Sequence, residues 1–198
     1  GLIVVALAVV NIRGVRGAAA VQNIATLIKV GFLLVLILGP WLLAKVDYRN
    51  LAPLEPPNWG FSFWKSVGAA MIAIMWAYDG WITLGSVAEE VKEPQRNIPF
   101  ALSAGLGIVI SLYVAAVLSY HLVLPFATVA GESRVAAATS AVLFGPAGPQ
   151  IAAVCVIISA LGACNANMLA GPRIYFALAR DGLLPKAVSR IHPRYETP

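Results

Sequence analysis

From Ala18 to Leu43 the chain is apolar except for Gln22, Asn23, Thr26 and Lys29. A run of that length with a single formal charge can cross the hydrocarbon core of a bilayer. Comparable runs recur at 63–91, 98–124 and 150–180, separated by short polar connections. The fold class that follows is all-α, a polytopic transmembrane helical bundle. Composition agrees: 12% of the 198 residues are charged and 60% are hydrophobic, whereas an ordinary globular domain has roughly a quarter of its residues charged.

The net charge of +5 does not point to nucleic acid. Basic residues flank the apolar runs and do not form one patch interleaved with aromatics. Cys155 and Cys164 lie in a single apolar run, so they read as small buried side chains and imply no disulfide framework. The opening stretch GLIVVALAVV has no basic segment before it and is not a signal peptide. The chain reads as a fragment that begins inside a helix and stops in a polar loop.

Punctuation divides the chain further. Residues 1–11 read as the end of a helix, and 18–44 as a full span. The loop 45–62 holds several prolines and charges. Residues 63–91 form a span and 92–97 a tight polar turn. In that turn Asn97 is suited to cap a helix and Pro99 to its first turn. The span 98–124 follows. Residues 125–149 start too polar and are too short for a span, so they read as a surface or re-entrant helix. The span 150–180 carries Pro172 and ends at RDGLLP, with Gly182 as terminator and 181–198 as a loop. Arg13, Arg16, Lys92, Arg96, Arg180, Lys186, Arg190 and Arg194 fall on one side, and Lys45, Arg49, Lys65 and Arg134 on the other. The more basic side is assigned to the cytoplasm, which makes 45–62 and 125–149 external.

The candidate chemistry sits in WAYDGW, residues 76–81. Asp79 at membrane depth costs a few kcal/mol unless it faces protein or water. Gly80 weakens the helix at the same point. A broken span leaves carbonyls unpaired at the end of its first half, where they attract a cation such as an ammonium group. A continuous helix with Asp79 paired to a neighbouring span is the alternative. Lys29 is either an internal cation tying helices together or a snorkelling side chain. Glu89 and Glu90, with Lys92, form either an ion-pair gate or a solvated helix end. Asn165 is a candidate polar contact between helices. Arg173 and His121 are weaker candidates. No metal-ligand spacing, phosphate-binding loop or nucleophile triad is present, and no cofactor is implied.

Three stretches together carry a resemblance: GVRGAAAVQNIATLIKV, WAYDGWITLGSVAEEVKEPQRNIPFAL and SALGACNANMLAGPRIYFALARDGLLP. The chain resembles the amino acid–polyamine–organocation superfamily, close to the L-type amino acid transporters. The resemblance covers essentially the whole chain. It implies part of an inverted-repeat transporter fold, from the end of helix four to helix eight, with 63–91 as the broken sixth helix. It further implies that carbonyls of Trp76, Ala77 and Asp79 in the segment 76–80, which includes Tyr78 and Gly80, hold the substrate ammonium, with Trp76 as an aromatic gate. Lys29 would stand where relatives hold sodium, linking helix five to helices one and eight. Asp79 occupies a position that varies in the family, where an acid could favour cationic or polar side chains.

The expectation is a secondary amino acid transporter in the plasma membrane, a sodium-independent exchanger or a proton-linked symporter, and not an enzyme. Its partners would be an amino acid and the lipid bilayer, with no nucleic acid. An accessory glycoprotein subunit is left undecided by these residues. The alternative is an intramembrane enzyme or helical receptor domain using Asp79. An enzyme would need a second polar group at the same depth, and Lys29 and Asn165 are the candidates.

Overall fold

The computed structural model describes residues 2–12, 15–52, 59–81, 85, 88 and 91–192. Among the described residues seven α-helices form: α1 Leu2–Ile12, α2 Val15–Leu42, α3 Phe61–Ala77, α4 Pro94–Val123, α5 Phe126–Gly131, α6 Val135–Phe144 and α7 Gly148–Arg180. Among the described residues there is no strand, so the fold is all-α. Among the described residues three segments, Gly17–Leu42, Pro94–Val123 and Val135–Arg180, are long and apolar enough to cross a membrane.

Helix α7 packs against α2, α6 and α1, and α2 also packs against α4. Small residues make the α2–α7 approach close. A Cβ added at Gly162 would lie 3.0 Å from the Cβ of Ala25, and Ala18 is fully buried. In lipid, tight backbone approach replaces the hydrophobic drive between helices. Asn165 sits one helical turn from Gly162, with 0% of its surface exposed. Pairing of Ala25 with Gly162 and of Ala18 with Asn165 makes the two helices antiparallel.

The C-terminal ends of α2 and α4 meet the turn into α7. The Asp47 N–H donates to the Leu122 carbonyl at 2.9 Å. The Lys45 ammonium donates to the carbonyls of Val142 and Leu143, the latter at 3.1 Å. These carbonyls end α6, where a cation is favoured by the helix dipole. Residues 125–149 thus form two short helices. Thr139, Ser140 and Leu143 of α6 are buried, and α6 packs on α7, α2 and α4. The return into α7 requires Gly148, where a Cβ would fall 2.0 Å from the Ser140 carbonyl oxygen.

Pro40 lies inside α2. It has no N–H, so the Leu36 carbonyl loses its i+4 donor. The Ser119 hydroxyl of α4 donates to that carbonyl at 2.6 Å. Ser119 and Leu36 are both fully buried. The proline therefore creates an acceptor, and the neighbouring helix satisfies it.

The start of α4 differs from the turn expected at 92–97. The helix begins at Pro94, with Glu93 at its N-cap in the left-handed region at φ 47°. Proline suits this first position because its missing N–H would have no helical acceptor. Asn97 is already helical, and its side-chain amide donates back to the Lys92 carbonyl at 2.6 Å. Polarity marks 92–97 as solvent-facing but does not prevent helix there. Cys155 is half-buried and Cys164 exposed, both as free thiols.

Ser119→Ala is expected to lower the thermal stability of the purified protein by about 1–3 kcal/mol, the cost of an unsatisfied buried acceptor. In a Pro40→Ala background the same substitution should cost less, because residue 40 then donates to Leu36. Equal costs in both backgrounds, measured by thermal unfolding in detergent, would remove the proposed link.

A cavity at the end of helix three

Helix α3 ends at Ala77, and Tyr78–Gly80 form a turn. The helix end leaves its last carbonyls without helical donors. Two find local partners: Tyr78 N–H donates to Ile74 at 3.0 Å, and Asp79 N–H to Trp76 at 3.3 Å. Gly80 has φ 109°, a conformation that side-chain-bearing residues rarely adopt. Helix α3 buries none of its residues. Beyond it, Tyr78 meets Tyr113 of α4 edge to face, with ring centroids 5.3 Å apart.

This turn opens into a cavity of about 920 Å³. Ala77, Tyr78, Asp79, Gly80 and Trp81 form one wall. Helix α4 supplies Ser103, Leu106, Val109 and Tyr113, among others. Helix α7 supplies Ala166, Leu169 and Ala170, and α2 supplies Gln22. Most of the lining is apolar with a few polar groups, the usual character of a small-molecule site. Among the described lining residues Asp79 is the one with an acidic side chain, and it is exposed.

Of the residues singled out from sequence, Ala77, Tyr78, Asp79 and Gly80 come together here. Trp76 does not line the cavity, and its side chain is 81% exposed. Lys29 is half-buried on α2, two turns beyond Gln22, and is not part of the lining. Asn165 is buried beside the cavity, next in sequence to Ala166. Its amide donates to the Ala18 carbonyl at 3.0 Å and to Gln22 Oε1 at 3.3 Å. Its Oδ1 accepts from Asn11 Nδ2 at 3.0 Å. Arg173 donates to the Leu169 carbonyl of its own helix. His121 stacks on Phe126, centroids 5.4 Å apart. Glu89 and Glu90 lie outside the described residues. No group of three or more metal-ligating His, Cys, Asp or Glu side chains gathers among the described residues.

Gln22, Ser103 and Tyr113 were not singled out as site residues from the sequence. Each is a polar or aromatic interruption of an apolar span, which was a visible signal. Only the rotation of α2 and α4 decides that they face the cavity.

Residues 2–198 match the family model described as amino acid permease. The chain is 32% identical over 196 residues to the serine/threonine exchanger SteT of Bacillus subtilis (strain 168), covering 97% of this chain and 43% of that protein. It is 32% identical over 193 residues to the human b(0,+)-type amino acid transporter 1, covering 96% and 38%. It is 32% identical over 191 residues to the chloroplastic cationic amino acid transporter 9 of Arabidopsis thaliana, covering 94% and 32%. The chain belongs to the amino acid permease family, within the amino acid–polyamine–organocation superfamily. It spans less than half the length of these curated relatives. Together with its long apolar helices, membership makes it part of an integral, multi-pass membrane protein.

Gly80→Ala should destabilise the protein by about 1–3 kcal/mol, because alanine is strained at this φ. Gly85→Ala should change stability by no more than about 0.5 kcal/mol, since Gly85 has open space and no positive φ. Thermal melting of the two variants checks the contrast, and equal effects would count against strain at Gly80.

Proposed function

We propose that this chain forms part of a sodium-independent secondary amino acid transporter in the plasma membrane. The substrate ammonium is held at the end of α3 by carbonyls of Trp76, Ala77 and Asp79. The observation that carries this reading is the cavity at the α3 terminus, in a chain of the amino acid permease family. A helix C-terminus concentrates partial negative charge and favours a cation. The Trp76 carbonyl accepts one local N–H, but a carbonyl has a second lone pair for a ligand.

Lys29 supplies a fixed cation in α2 where relatives would place sodium, which motivates sodium independence. Glu89 and Glu90 act as a gate on the cytoplasmic side, whereas the Trp76 side chain, 81% exposed and outside the cavity lining, is not assigned the aromatic gate expected from the sequence. The end bearing Arg96 and Arg180 faces the cytoplasm. Relatives described as exchangers and amino acid transporters support the transport class. Catalysis is not assigned: neither Lys29 nor Asn165, the candidate second groups for an enzyme, lines the cavity.

Uptake by the full-length protein in proteoliposomes should persist when sodium is replaced by choline. Strict sodium dependence would contradict the role given to Lys29. Asp79 is the one acidic side chain among the described lining residues, so cationic amino acids should gain from it. Asp79→Asn is expected to raise KM for lysine about tenfold, the loss of one charge-assisted hydrogen bond, with KM for alanine nearly unchanged. Parallel losses for lysine and alanine would show that the carboxylate does not read the substrate side chain.

A further inference from the structure

A line of side-chain amides leads from the interior of the bundle to the cavity wall, and its direction is fixed. Asn11 Nδ2 donates to the Leu7 carbonyl at 2.9 Å and to Asn165 Oδ1 at 3.0 Å. Asn165 Nδ2 donates to the Ala18 carbonyl at 3.0 Å and to Gln22 Oε1 at 3.3 Å. A backbone carbonyl can only accept. Leu7 and Ala18 therefore dictate which end of each asparagine amide is nitrogen. Asn165, fully buried, then offers its remaining proton to Gln22, so the oxygen of Gln22 must face Asn165.

The consequence falls on the other end of the Gln22 amide. Its Nε2 has no hydrogen-bond partner among the described residues, and Gln22 lines the cavity. An amide held by its oxygen at a fully buried partner presents its nitrogen, with two protons, away from that partner. Elsewhere the cavity wall is largely apolar, with Tyr78, Trp81, Ser103, Tyr113 and the carbonyl end of α3 as its other polar groups.

We propose that Gln22 is a specificity-determining residue whose Nε2 donates to an oxygen of the transported molecule, and that Asn165 is the positioning residue that orients it. This rests on the transport function proposed above and adds a donor opposite the acceptors of the α3 terminus. The substrate is thereby read at both polarities, an ammonium at α3 and an oxygen acceptor at α2. That oxygen is either the substrate carboxylate or a side-chain oxygen. The buried partner makes the donor directional: a Gln22 free to rotate would present its oxygen to the cavity equally well.

Gln22→Glu tests the donor with little disturbance. The carboxylate still accepts from Asn165, so the helix contact is kept, but the atom facing the cavity becomes an acceptor. Transport of serine, threonine and alanine is measured with the full-length protein in proteoliposomes, with thermal melting in parallel. The expected result is a KM about tenfold or more higher, since a donor is lost and an acceptor is left facing an acceptor, with kcat and melting temperature unchanged. A larger rise for serine and threonine than for alanine assigns the oxygen to the side chain, and equal rises assign it to the carboxylate. Gln22→Met should raise KM similarly and also lower the melting temperature, because it abandons Asn165. Asn165→Asp removes the donor that orients Gln22 and should raise KM in the wild-type background but add nothing to KM in Gln22→Met. An unchanged KM in Gln22→Glu, or additive effects of Asn165→Asp in Gln22→Met, would overturn the proposal. Absence of amino acid uptake by the wild-type protein would instead overturn the transport reading on which it rests.

Discussion

A polar backbone group in hydrocarbon must find its partner within the protein, because no water is there to replace one. This constraint organises the contacts between helices. Pro40 removes the donor of the Leu36 carbonyl, and Ser119 of α4 supplies another. The Ala18 carbonyl of α2 takes a proton from Asn165 of α7. Each bond is also an inter-element contact. The cost of leaving one polar group unsatisfied thus fixes how helices sit against one another. Dispersion then fills the small-residue seam at Ala25 and Gly162.

The end of α3 is the place where that rule is relaxed. The helix stops at Ala77, Gly80 takes a backbone conformation with φ 109°, and the terminus lines a cavity. Groups that need partners there can take them from a ligand. Behind the cavity, Asn165 of α7 hydrogen-bonds to α1 and α2 at a fully buried point.

Fold class was legible because it depends on run length and composition, which local sequence carries in full. The family signatures in 76–102 and 159–185 were legible for a similar reason, as contiguous motifs. The start of α4 was not. KEPQRN is polar and holds a proline, which reads as a turn, but Pro94 at the first helical position and an amide reaching back from Asn97 make it helix. The cavity wall was only partly legible. Asp79 and Gly80 stand out in an apolar run, whereas Gln22 and Tyr113 look like ordinary interruptions until helix rotation turns them to one side. The partners of Asn165 are 143 and 147 residues away on α2 and 154 away on α1. No local pattern encodes such pairs.

The central claim is that α3, α4 and α7 enclose one substrate site at the end of α3. Single cysteines at Ala77, Ser103 and Ala166, in a background lacking Cys155 and Cys164, place one reporter on each of the three walls. Leu183, 72% exposed beyond α7, serves as a water-accessible control. The rate of modification by a water-soluble thiol reagent is measured on the detergent-solubilised protein with and without saturating L-serine. Slower labelling at all three cavity positions, with Leu183→Cys unaffected, is the expected result. Unchanged labelling at Ala77→Cys, Ser103→Cys and Ala166→Cys in a protein that still transports serine would contradict it.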